Sequence, residues 1–333
     1  MHEAWCYTSD GDSLKCELCI INCKIREGDV GFCKTRKNIG GKLYNTIYGK
    51  LSSFSIDYVE KTPLYHFHPN SRFLTLGSIS CNMKCKFCLA WSITQVPPEE
   101  VDVTEVKVSG LINAARALEC KGMVYTHSEP ALNLEYYAEI MREGKKKGLT
   151  NVLATNGLVS IEAFKKIAGD LDAVALTIKG DEDFYRQVCD LKVNGVLEHL
   201  TRLMNEIKEQ GIHLEVVSLV IPGYEGQASV AVNFAKKAGV PLIFLRFFPC
   251  YAMDDLQSPS EEILETVLNN AYRSGVKYAY VENIFSHPGK NTYCEVCKAP
   301  LVKREGYGVV EWSLVGGKCI HCGASIPMVG ERA

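Results

Sequence analysis

Between residues 72 and 284 the chain alternates two kinds of segment, and this alternation limits the possible folds more than any other feature of the sequence. Short β-branched or aromatic runs predict buried strands: RFLTLGSI (72–79), GMVYT (122–126), NVLAT (151–155), AVALTI (173–178), HLEVVSLVI (213–221) and LIFLRFF (242–248). VKYAYVENI (276–284) offers a seventh. Longer segments with helical spacing lie between them, VSGLINAARALEC, LEYYAEIMREGKKKG, VLEHLTRLMNEIKEQG and SVAVNFAKKAG, several closed by glycine as a helix stop. Such a βα repeat requires parallel strands joined by right-handed crossovers, in an open doubly wound sheet or a barrel.

The polar residues favour the barrel. SCNMKCKFC, HSEP, NG, KGDED, PGYEG and PCY each follow a predicted strand, and a (β/α) barrel carries its chemistry on that face. The expected fold is α/β, a partial TIM-like (β/α)6 barrel. No GxGxxG or GxxxxGKS/T follows a strand, so a dinucleotide or P-loop reading has no support. Net charge is -2, from 37 basic and 39 acidic residues, so no bulk field recruits nucleic acid. There is no 18-residue apolar run for a bilayer, and MHEAWCYTSDGDSLKCELC has neither the basic nor the apolar region of a signal peptide. The expected location is the cytoplasm, with no membrane and no nucleic-acid partner.

Fifteen cysteines in a reducing compartment argue for metals rather than disulfides. Cys81, Cys85 and Cys88 form one group, and three thiolates on a four-iron cluster leave one iron with an open position. A structural zinc needs a fourth ligand, and Asn82, Lys84, Lys86 and Phe87 are not usual ones, so zinc would require a distant residue. Cys294-x2-Cys297 and Cys319-x2-Cys322, separated by a predicted hairpin over REGYGVVEWSL, have zinc-ribbon spacing and predict a closed structural site for zinc or iron. Cys16-x2-Cys19-x3-Cys23, followed by Cys33, supplies four more thiolates, with Gly28 and Gly31 suggesting a tight loop between ligands. That group fits zinc or a second iron–sulfur cluster, and zinc or structural iron is the preferred reading. Cys6, Cys120, Cys189 and Cys250 read as isolated buried hydrophobes, and His66 and His68 as hydrogen-bonded turn residues rather than ligands.

CNMKCKFC resembles the CxxxCxxC signature of the radical SAM superfamily, with Phe87 as its aromatic residue. The resemblance implies that Cys81, Cys85 and Cys88 hold a 4Fe-4S cluster and that S-adenosylmethionine chelates the open iron. Reductive cleavage then gives a 5'-deoxyadenosyl radical that abstracts hydrogen, while the protein binds, orients and excludes water. The family's GGEP segment corresponds to His127, Ser128, Glu129 and Pro130, with both glycines replaced; Ser128 and Glu129 are implied contacts of the methionine amino group. Thr155, Asn156 and Gly157 resemble its TNG, implied to face methionine or ribose. Thr177, Ile178 and Lys179 resemble its DLK with the Asp replaced, leaving Lys179 to pair a carboxylate. VIPG, with Val220 and Ile221, resembles the turn against adenine.

Over nearly the whole chain, EKTPLYHFHPNSRFLTLGSISCNMKCKFC, CELCIINC and NTYCEVCKAPL are similar to the AmmeMemoRadiSam radical SAM proteins, relatives of the pyruvate formate-lyase activating enzymes. This implies a four-cysteine metal-binding segment at 1–69, a radical SAM core at 70–285 and a zinc-ribbon-like domain at 286–333. It also implies a protein or peptide substrate, as in glycyl-radical activation, and an electron donor such as ferredoxin or flavodoxin. Radical chemistry on a small molecule, by C–C bond formation or methyl transfer, is the alternative; a multi-metal interaction scaffold is the non-enzymatic one.

Overall fold

The computed structural model describes residues 1–331, and the last two residues of the expected 286–333 segment lie outside them. Seven parallel strands form the centre: β1 (Arg72–Gly77), β2 (Gly122–Thr126), β3 (Thr150–Thr155), β4 (Ala173–Thr177), β5 (His213–Val220), β6 (Leu242–Arg246) and β7 (Ala279–Glu282). They pair in sequence order, and Ser53–Tyr58 adds an antiparallel strand outside β1. Helices α1 (Val108–Ala117), α2 (Leu134–Lys145), α3 (Ile161–Ala168), α4 (Val196–Glu209), α5 (Ala228–Ala238) and α6 (Glu261–Arg273) each follow one of the first six strands. Six βα units therefore stand as expected and the seventh hydrophobic run closes the series with a strand. The first and last strands of the sheet do not pair, so the barrel is partial.

The local causes are visible in the side chains. In α4 the buried residues Val196, Leu200, Leu203, Met204 and Ile207 recur on one face, the pattern of a helix laid on a sheet. Ser160 and Ser260 cap α3 and α6 by accepting the amides of Ala163 and Ile263. Strand residues are buried on both sides because helices cover one face and the barrel interior is filled.

What fills the interior determines which end is open. Val59, Leu64 and Phe67 pack against Phe73, Val124, Val152, Ala173, Ala175 and Val217, so the segment before β1 plugs the end where the strands begin. Glu215 of β5 accepts the Tyr65 and His66 amides at 2.9 and 2.8 Å and pins the plug. Below it lies the C-terminal ribbon, in which Pro300–Glu305 pairs antiparallel with Gly308–Trp312, the hairpin expected from sequence. Tyr65, Tyr278 and Tyr280 pack with Leu301, Val302 and Leu314 of this ribbon. His66 is buried in the same layer, bonded to the Tyr280 hydroxyl at 2.6 Å and the Pro327 carbonyl at 3.0 Å. Both His66 and His68 thus sit at the closed end, as hydrogen-bonded residues. No helix among the described residues is long and apolar enough to cross a membrane.

Candidate functional site

The open end collects the loops that follow the strands, and several turn through left-handed residues that are not glycine: Ser80 after β1, His127 after β2, Tyr251 after β6 and Asn283 after β7. Such conformations persist only where surrounding structure holds them, and they concentrate at functional sites. His127 has φ 67°, so it adopts at this turn the conformation that a glycine would reach without strain.

The loop after β1 carries Cys81, Cys85 and Cys88 and is clamped from two sides. Lys84 and Lys86 donate their amides to the Cys189 and Val188 carbonyls at 2.9 and 3.0 Å, and the Lys86 carbonyl accepts the Ala252 amide at 3.0 Å. Asn156 Nδ2 lies 3.7 Å from Cys81 Sγ, and Cys88 Sγ lies 3.2 Å from Thr94 Oγ1. Burial raises the Cys81 thiol pKa; for Cys85 the neighbouring Cys189 thiol raises it first and burial second. Buried thiols resist ionisation until a metal supplies compensating charge, so filling this loop would release protons.

Around it stand the other residues singled out from sequence. Glu129 is buried, accepts Thr155 Oγ1 at 2.7 Å and the Asn156 amide at 2.9 Å, and has a pKa raised by burial. Glu129, Thr155 and Asn156 therefore form one hydrogen-bonded unit, and Asn156 reaches from it to the cysteine loop. Ser128 Oγ is buried without a hydrogen-bond partner, an orphan that a ligand would satisfy. Lys179 Nζ lies 5.4 Å from the centre of the Phe87 ring. Burial opposes its charge, but Cys85, Cys189 and Tyr185 more than restore it and raise its pKa. Val220 and Ile221 are buried at the end of β5, where the chain turns at Gly223. The donor set, the orphan hydroxyl and the adjacent cation fit a 4Fe-4S cluster with S-adenosylmethionine on its open iron.

Two cysteines read as isolated prove to be neighbours of this loop. Cys189 touches Cys85, and Cys250 lies near enough to Cys88 for that thiol's charge to act on it. For Cys250 the signal was present, since it follows β6 in the PCY segment; Cys189 lies beyond the helix Glu182–Gln187 and had none. Asn82, dismissed as a metal ligand, is fully buried beneath the loop and accepts Asn156 Nδ2 at 2.7 Å.

The C-terminal cysteines converge: Cys294 and Cys322 Sγ are 3.6 Å apart, Cys297 and Cys319 Sγ 3.7 Å, and all four lie within 4.8 Å of one another. A tetrahedral ion with metal–sulfur bonds of about 2.3 Å requires sulfurs about 3.8 Å apart, so the set has single-ion geometry. Among the described residues no other group of three or more His, Cys, Asp or Glu ligand atoms is this compact.

The radical SAM superfamily model matches residues 77–229, from the end of β1 to the start of α5. An uncharacterized protein of Methanocaldococcus jannaschii is 34% identical over 338 residues, covering 99% of this chain and 100% of the relative. Among solved structures, a domain of pyruvate-formate lyase-activating enzyme from Bacteroides vulgatus has TM-score 0.41 and 17% identity, covering 49% of this chain and 99% of that one. Streptococcus suis SuiB bound to precursor peptide SuiA has TM-score 0.49 and 12% identity, covering 68% of this chain and 51% of that one. From the three-cysteine loop, the family-model match over residues 77–229 and the full-length relative, the chain belongs to the radical SAM superfamily, enzymes that cleave S-adenosylmethionine at an iron–sulfur cluster.

Proposed function

We propose that Cys81, Cys85 and Cys88 hold the 4Fe-4S cluster, and that the enzyme acts on a protein or peptide in the manner of glycyl-radical activases. Bound together, the cluster and S-adenosylmethionine supply a 5'-deoxyadenosyl radical for hydrogen abstraction. The chain's own residues do the positioning. Ser128 and the Glu129–Thr155–Asn156 unit face the methionine end, Lys179 is placed to pair a carboxylate, and Val220 and Ile221 provide an apolar wall for adenine.

The observation that carries the substrate class is the rim of the open end. Leu89, Trp91, Tyr224, Phe248 and Tyr251 are all exposed there, on the cysteine loop and on the loops after β5 and β6. Trp91 and Tyr251 stack at 5.7 Å. An exposed apolar rim around a reactive centre suits the surface of another macromolecule, where aromatic anchors dominate contact. The full-length motifs CELCIINC and NTYCEVCKAPL support placement among the AmmeMemoRadiSam proteins.

Anaerobic reconstitution followed by electron paramagnetic resonance tests the chemistry: the reduced signal should shift when S-adenosylmethionine is added, and 5'-deoxyadenosine should form. Cys85→Ala should abolish that product while the fold remains; full cleavage by the variant would refute the assignment. For the substrate, cell extract separated by dialysis should stimulate 5'-deoxyadenosine formation through its retained macromolecular fraction. Stimulation by the small-molecule fraction alone would favour the alternative chemistry.

A further inference from the structure

The eight-stranded sheet ends on Ser53–Tyr58, and among the described residues β1 is the only strand this segment pairs with. Its register with β1 runs without a bulge from Ser53 opposite Gly77 to Tyr58 opposite Arg72. Just beyond that register the Val59 amide donates to the Ser71 carbonyl at 3.1 Å. Hydrogen-bonded pairs alternate along an antiparallel ladder, so Asp57, Ser55 and Ser53 also turn their backbone groups to β1. Phe54, Ile56 and Tyr58 therefore turn their amides away from the sheet, and Phe54 and Ile56 their carbonyls as well. The edge presents a row of ladder groups that a further strand could take up.

The side chains along this edge are apolar where water meets them. Phe54 stands opposite Leu76 and Ile56 opposite Leu74, so Phe54, Ile56 and Tyr58 share one face with these two leucines of β1. On β1 that face is covered: Leu74 and Leu76 lie in the main core with Leu111, Ile112 and Ala115 of α1. One strand further out the cover ends, and Phe54, Ile56 and Tyr58 are 53%, 37% and 42% exposed. Lysine, proline or a bulge commonly protects a free edge from pairing. Residues 53–58 contain no lysine and no proline. Their one charge, Asp57, lies on the opposite face and is neutralised by Lys61 Nζ at 2.6 Å.

We propose that this edge pairs with the same strand of a second copy of the chain, antiparallel, about a two-fold axis at Ile56. In that register Ile56 exchanges both backbone bonds with Ile56 of the partner subunit, and the Tyr58 amide meets the carbonyl of the partner subunit's Phe54. Phe54 lies across from the partner subunit's Tyr58 at each end, so aromatic pairs flank a pair of isoleucines, cross-strand combinations that stabilise a sheet. The segment is self-complementary in this register alone. A shift by one residue sets apolar side chains against polar ones. A shift by two sets Tyr58 against the partner's Ser52, or Phe54 against the partner's Glu60. The contact is isologous and closed, so it stops at two copies. A substrate strand needs no such symmetry and has to leave after each turnover, whereas a second copy covers the apolar face throughout. Because the paired strands run antiparallel, the open ends of the two barrels point in opposite directions and both stay free. The pairing is thus independent of the chemistry assigned to the cysteine loop.

Sedimentation velocity of the full chain over a range of concentrations tests this assembly. Wild-type protein should sediment as a dimer that dissociates on dilution. Ile56→Lys and Ile56→Glu each set like charges opposite one another at the axis. Both should match wild type by circular dichroism, since residue 56 is exposed and its backbone groups face away from β1, while self-association weakens by about tenfold or more. An equimolar mixture of the two variants should recover the dimer, because opposite charges then face each other at the axis. Should either charged variant not fold, Ile56→Pro, which removes only an outward amide from the ladder, should give the monomer instead. A wild-type monomer at every concentration would overturn the proposal and leave the edge to a strand from a different protein. A dimer that persists in the folded variants would place the interface elsewhere, and failure of the mixture to associate would overturn the two-fold register.

Discussion

Lys179 and His66 are both buried polar groups, and they diverge because of what surrounds them. Thiols and a tyrosine hydroxyl keep Lys179 charged beside Phe87, at the open end. His66 is pushed down to about 4 by burial at the closed end, so it is held neutral. A histidine with a depressed pKa contributes stability that is present above about 6.5 and is lost as pH falls toward about 4, because the unfolded chain takes up the proton first. Glu60, raised to about 7 by burial, acts in the opposite sense over part of that range, so the slope of wild-type protein alone does not isolate His66. The readout is the difference between wild type and His66→Phe in urea denaturation. It should shrink by about 2 kcal/mol in favour of the variant between pH about 7 and about 5; a constant difference would mean that His66 titrates normally.

At the scale of elements, the strand-to-helix turns place the chemistry, and the turn after β3 shows how tightly. Gly157 has φ 77°, and a Cβ there would meet Leu200 Cδ2 at 2.5 Å and Leu176 Cδ1 at 2.7 Å. The turn therefore presses against α4 and β4, and this contact holds Thr155 and Asn156 against Glu129. Gly157→Ala combines left-handed strain with overpacking and should destabilise the protein by about 3 kcal/mol. Thermal unfolding should fall by roughly 5–10 °C, and unchanged melting would show that the turn can relax. The TNG motif was legible in the sequence. Its hydrogen bonds to Glu129 were not, because they join segments from successive βα units.

At the scale of the whole molecule, four-cysteine segments are attached to both ends of the barrel. The ribbon supports the plug: Arg304 donates to the Tyr65 carbonyl at 2.9 Å and to Thr292, and Lys290 bonds Glu282 at 2.6 Å, all in the interior. A structural metal of this kind contributes on the order of 10 kcal/mol to its own domain. Cys297→Ala should therefore loosen residues beyond 286 and raise amide exchange at Tyr65 and His66, while the S-adenosylmethionine-sensitive signal persists. Loss of that signal would mean that the ribbon cysteines serve the barrel cluster.

The βα rhythm, the placing of polar residues after strands and the spacing of three cysteine groups were decided by local sequence, because periodicity and ligand spacing are short-range properties. Cys189 beside Cys85, Asn82 bonded to Asn156 and the plug that closes one end were decided only by the tertiary fold. Each depends on segments distant along the chain being brought together by sheet order and burial.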